Sequence, residues 1–252
     1  MNKFFNSIAP LILLVSLLFS VTSCDKEDDQ EGPGDVEVTF SNKYACCAIN
    51  HSDVHQNYNG RSYTIALSQY YISDLTLIDH DGAEVPFTGQ YLLVKSGTEN
   101  KLQLSNLPAG HYHQIKFNVG VDSVANHADP STYGATNALA PQTPSMHWSW
   151  NSGYIFFRME GLVDTTATKN GTLDFPYFYH LGTDAYLMPV VLDLDLEVGD
   201  SKDAVVKVNM DASTLLTNID LGGVDEGGHS ISGNADLAGR FSTNIKNSFS
   251  VE

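Results

Sequence analysis

Val36-Glu37-Val38-Thr39-Phe40 alternates apolar and polar side chains, the period-two pattern of a strand with one buried face. Working outward, the same alternation appears in Tyr63-Thr64-Ile65-Ala66-Leu67 and in Leu75-Thr76-Leu77-Ile78. The latter runs into Asp79-His80-Asp81-Gly82, whose Asp-Gly pair signals a hairpin. Leu102-Gln103-Leu104 precedes a second turn, Asn106-Leu107-Pro108-Ala109-Gly110. Tyr112 to Val121, Tyr154 to Met159, Leu173 to Tyr179, Leu187 to Val198 and Val205-Val206-Lys207-Val208 read as further strands. Helix signals are weak: one short turn at Ala212 to Leu216 and another at Ala235 to Arg240. Many short strands separated by turns predict an all-β, antiparallel sandwich or barrel. The longest irregular stretch, Asp122 to Ser145, is a candidate functional loop, and Gly222 to Ser232 is a second exposed loop.

The chain has 252 residues, 13 basic and 30 acidic, for a net charge of −17. A surface this negative repels phosphate backbones, so nucleic acid is excluded as a partner, and it concentrates cations. Residues 1–23 lie outside the fold: Lys3 is followed by an apolar core from Leu11 to Phe19, the grammar of a cleaved export signal. Val21-Thr22-Ser23-Cys24 resembles a bacterial lipobox, with Cys24 as the acylated first residue of the mature chain and the anchor to the membrane. Residues 24–34 carry the acidic run Asp25 to Glu31 and end in Gly32-Pro33-Gly34, a tether. A cysteine followed by lysine and acids resembles the surface-export signal of Bacteroidetes lipoproteins. The expectation is an outer-membrane lipoprotein, facing the periplasm or the cell surface, with one domain over residues 35–252. Cys46 and Cys47 are adjacent and are candidates for a soft metal or redox site.

The chain has nine histidines: His51, His55, His80, His111, His113, His127, His147, His180 and His229. His111 and His113 are two apart, so on a strand both project from one face, a workable metal-ligand spacing. Asp193 and Asp195 alternate in the same way. No Gly-x-Ser-x-Gly, His-Glu-x-x-His or phosphate-cradling glycine loop is present, and a binding protein rather than an enzyme is expected. Both tryptophans lie in Met146-His147-Trp148-Ser149-Trp150-Asn151-Ser152-Gly153-Tyr154. On a strand, Met146, Trp148 and Trp150 share one face and His147 points the other way. That stripe fits a hydrophobic core.

Tyr70-Tyr71-Ile72-Ser73-Asp74-Leu75, Asn106 to Gly110, Phe117-Asn118-Val119-Gly120-Val121-Asp122, Asn126-His127-Ala128-Asp129, Met146 through Arg158 and His180-Leu181-Gly182 occur in one order. That ordered set resembles the MbnP-like copper-binding family from about Val36 to Asp211. The resemblance implies a β-sandwich with long functional loops that binds one copper ion. It also implies a tryptophan oxidised to kynurenine by a partner diheme enzyme of the cytochrome c peroxidase class. Imidazole and amine nitrogens suit copper, whereas an intact indole N–H only donates. Carried over, the resemblance makes His127 and His180 metal ligands and Trp148 or Trp150 the oxidised residue. His147, His111 and His113 are additional candidates. After Gly182 the chain reads Thr183-Asp184-Ala185-Tyr186 and lacks the cysteine that methanobactin-linked members carry there. The function implied is a copper carrier or scavenger. The alternative is a surface ligand- or glycan-binding adhesion module that keeps the fold without metal.

Overall fold

The computed structural model describes residues 32–149, 153–173, 175–199, 204–225 and 227–252. The export signal, Cys24, most of the tether and Trp150 fall outside these residues. In chain order the strands are β1 (Gly34–Tyr44), β2 (Cys47–Ala48), β3 (His55–Gln56), β4 (Ser62–Tyr63), β5 (Leu67–Asp79), β6 (Glu84–Lys95) and β7 (Lys101–Leu107). They continue with β8 (Gly110–Val119), β9 (His147–Trp148), β10 (Gly153–Val163), β11 (Phe175–Gly182), β12 (Met188–Val198), β13 (Ala204–Asp211) and β14 (Phe249–Val251). Two helices, α1 (Ser123–Asn126) and α2 (Ala235–Asn247), complete the regular elements used below.

Among the described residues the strands form two sheets. The smaller runs β14-β13-β1-β2, with β7 also paired to β1. The larger runs β12-β8-β5-β10-β4-β3, with β6 on β5 and with β9 and β11 on β10. The alternation that opens the sequence analysis is the burial pattern of β1: Val36, Val38 and Phe40 face the core. Phe40 meets Phe117 of the larger sheet edge-on, ring centres 5.4 Å apart, and Phe249 of β14 meets Phe117 and Tyr70 in the same way. These T-shaped contacts tie the two layers of the β-sandwich together.

Three features differ from the sequence expectation. β1 and β13 pair in parallel, from Val36 opposite Ala204 to Lys43 opposite Asp211. Their separation by most of the chain allows this, because only close-spaced strands are forced to run antiparallel. β6, whose alternation is blurred by Pro86 and Gly89, pairs with β5 from Gln69 opposite Lys95 to Ile78 opposite Glu84. α2 is a full helix rather than one turn. Asn234 caps it by accepting the Leu237 N–H, and Leu237, Ala238, Phe241 and Ile245 form its buried face. Phe241 packs on Phe157 of β10 and Tyr179 of β11, so the helix covers part of the larger sheet.

The turn at Asn106 to Gly110 is not a hairpin. β7 pairs in one sheet and β8 in the other, so the turn carries the chain between layers. Asn106 adopts φ +62 and Gly110 φ +149, backbone that a branched side chain resists. The Asp79–Gly82 hairpin between β5 and β6 forms as expected.

Candidate metal centre

β10 and β11 pair antiparallel, with Arg158 opposite His180 and Glu160 opposite Phe178. Side chains on one face of such a pair meet directly or diagonally. His180 therefore reaches diagonally to Glu160, its Nε2 lying 2.6 Å from Oε1, and Arg158 closes on the same oxygen. A carboxylate only accepts, so His180 Nε2 is the protonated nitrogen, and in the neutral ring Nδ1 keeps its lone pair. Burial acts to raise the Glu160 carboxyl, but hydrogen bonds from His180 and Arg158 outweigh it and hold the group at about 2. Arg158 is fixed in turn by the Ser145 carbonyl.

His180 is buried at 3% exposure. The free edge of β11 is covered by the segment 227–232. Gly228 bridges to Tyr179, the Ile231 N–H bonds the His180 carbonyl, and Ser232 Oγ bonds both ends of Gly182. That segment lays the exposed His229 ring over Phe178, stacked at 4.4 Å, and 5.3 Å from the His180 ring. Just upstream of it, Arg240 of α2 grips Asp225 with a two-armed contact. Trp148, 1% exposed, donates its indole N–H to the His229 carbonyl at 2.9 Å. Its ring lies against Gly182, where a Cβ would sit 2.6 Å from Trp148 Cζ3 and 2.5 Å from the Tyr154 carbonyl. Only glycine permits that approach.

The other predicted residues are placed as follows. His127, exposed, ends α1 and bonds Asp184 through Nε2 at 3.1 Å. Asn126 joins the two neighbourhoods. Its amide nitrogen bonds Asp184, its oxygen accepts the Tyr154 N–H, and it lies against Gly153, which pairs with Trp148. The three segments thus converge at one end of the larger sheet, but His127 and His180 are held by different carboxylates. Met146 and Trp148 are buried and His147 turns the other way, onto Tyr154 at 5.0 Å. Burial lowers the His147 pKa, with Asp129 partly opposing it. Tyr71 and Tyr154 bond the Ala138 and Leu139 carbonyls, so the loop from Asp122 to Ser145 is packed down rather than open.

His111 and His113 lie near the start of β8. Val119 at its other end is about 20 Å further along the strand, so the pair is not part of this centre. Cys46 and Cys47 are exposed free thiols at the β1–β2 hairpin, sulfurs 2.7 Å apart. Among the described residues no three His, Cys, Asp or Glu side chains are arranged as they stand around one ion position. His229 and Glu160 are the residues that sequence reading misses. Nothing about a histidine in a Gly/Ser/Asp loop, or one acid among 30, marks it before the fold is known.

The model of the MbnP family matches residues 33–232. The chain belongs to the MbnP family. Among solved structures it is similar to MbnP from Methylosinus trichosporium, at 15% sequence identity and a TM-score of 0.50. The match covers 77% of this chain and 82% of that one, a likeness of fold. No curated protein matches the chain. The MbnP match takes in α1, β9, β10, β11 and the segment carrying His229, so every part of the centre lies inside the family region.

Proposed function

We propose that this member of the MbnP family is an extracytoplasmic copper-binding lipoprotein, a carrier or scavenger rather than an enzyme. The observation that carries the reading is the His180–Glu160–Arg158 chain beside His229. A histidine that donates one nitrogen to a carboxylate presents the other to a metal in a fixed orientation. His229 supplies a second imidazole 5.3 Å away, ring centre to ring centre, and its exposure gives an ion a way in. Two imidazoles and an aromatic amine form a nitrogen donor set suited to copper, and copper is the cargo in this reading. His180 and His229 would hold the ion. Trp148 or Trp150 would be the residue oxidised to kynurenine by a partner diheme enzyme. His127, paired with Asp184 at the same end, would be an outer group of the centre. Acylation of Cys24 would hold the protein at the outer membrane, on its periplasmic or outward face. The adhesion alternative is less well supported, because buried Trp148 presents no face on which a glycan could stack.

The test is the copper content per chain of protein purified from its native host, where the tryptophan-oxidising partner is present. About one copper per chain, with an oxidised mass at the peptide carrying Trp148 and Trp150, is expected. His180→Ala and His229→Ala should each weaken copper binding at least about tenfold. Unchanged binding in both variants excludes this centre.

A further inference from the structure

At the opposite end of the larger sheet, three imidazoles from one strand and a turn are gathered on the solvent face. His111 and His113 project from one face of β8, their ring centres 4.4 Å apart. His80, in the β5–β6 hairpin, is tied to them by its backbone N–H on the His111 carbonyl at 3.1 Å, and its ring lies 5.7 Å from that of His113. A hollow of about 390 Å³ lies alongside, bordered by Asp79, His80, His113, Gln114 and Asp193. Two of the rings already bear carboxylates. Asp195 of β12 meets His111 Nε2 at 2.5 Å, and Asp81 meets His80 Nδ1 at 2.9 Å.

We propose that His80, His111 and His113 form a second metal site, for a borderline divalent cation of the Zn²⁺ class, with Asp195 and Asp81 as the carboxylates that orient two of its ligands. Donation of Nε2–H to Asp195 leaves His111 Nδ1 with its lone pair, and donation of Nδ1–H to Asp81 leaves His80 Nε2 with its own. This is the carboxylate–histidine–metal arrangement, doubled. Neutral imidazoles with nearby carboxylates are hard enough for Zn²⁺ and lack the thiolates that would favour a soft monovalent ion. The rings are not closed around one point. They need not be: His80 and His111 side chains are 73% and 38% exposed, so rotation about their side-chain bonds displaces no core. Metal–nitrogen bonds of about 2 Å would then draw the three rings together. The negative charge of the whole chain raises the cation concentration at the surface. This site shares no residue with the His180 centre and stands or falls independently of it.

The experiment is calorimetric titration of the mature chain with Zn²⁺ at neutral pH. The parent should bind one Zn²⁺ at this site. His111→Ala and His113→Ala should each weaken that binding more than about tenfold, and Asp195→Asn should weaken it by about tenfold. His180→Ala should leave it in place. Absence of Zn²⁺ binding by the parent, or equal binding in the His111 and His113 variants, overturns the proposal. Because these side chains face solvent, thermal melting of the variants should match the parent, which separates lost binding from lost folding.

Discussion

The two histidine groups on the larger sheet are built oppositely. At one end His180 is buried, its carboxylate partner is clamped by Arg158, and a separate segment brings His229 over it. At the other end His80 and His113 stand in solvent and His111 is half-buried beside them, with carboxylates that are themselves exposed. The contrast shows what burial adds to a histidine. In the interior a hydrogen bond to a carboxylate fixes the tautomer, and packing fixes the ring. On the surface the same bond competes with water, so the rings remain free to rearrange around a ligand. The first arrangement is held in one geometry and the second is adaptable.

Three substitutions probe that difference. Trp148→Ala removes the largest side chain at the buried end together with its bond to the His229 carbonyl. It should cost about 3–5 kcal/mol in chemical denaturation and open the segment 227–232 to proteolysis. A loss below about 1 kcal/mol would show that the buried end is not packed as described.

Glu160→Gln leaves Arg158 without its counter-charge and His180 without its acceptor carboxylate. The expected loss is about 3 kcal/mol at neutral pH. The pH dependence gives a second readout. Glu160 is held at about 2 against an ordinary value of 4.5, so its contribution is complete above pH 4.5 and disappears as pH falls towards 2. Asp184 and Asp225, also held low, lose stability in the same window, so denaturation across it should show a slope in both proteins that is steeper in the parent than in the Gln variant. Identical slopes would break the assignment of Glu160 as the anchor of His180.

His113→Ala should change stability by no more than about 0.5 kcal/mol, since its side chain is exposed. A larger loss in thermal melting would mean that the open end is as structural as the buried one, and the comparison would fail from the other side.

The strands of the core were legible because burial on one face imposes period two: Val36, Val38 and Phe40, and likewise Ile115, Phe117 and Val119, read inward whatever their neighbours. β6 was less legible because most of its side chains are only partly covered, and α2 because its apolar stripe is short and set among Gly and Ser. The candidate centre was half legible. His180 and Trp148 stood in recognisable stretches, and α1, β9 and β11 do converge. His229 lies 49 positions from His180 and Glu160 lies 20, and neither has a local pattern.

The sequence by itself determined that this chain is a β-rich member of its family, acidic, and supplied with histidines and a tryptophan pair. Those properties are local or additive, written in alternation, composition and ordered motifs. Tertiary structure alone decided which histidines from separate stretches are neighbours. Register between β10 and β11 set Glu160 diagonal to His180, and closure of the 227–232 segment over a free sheet edge delivered His229. The start of β8 and the β5–β6 turn placed three other imidazoles together far from both. Cross-strand register and loop closure are satisfied only when the whole core is assembled, so no stretch of sequence read alone contains them.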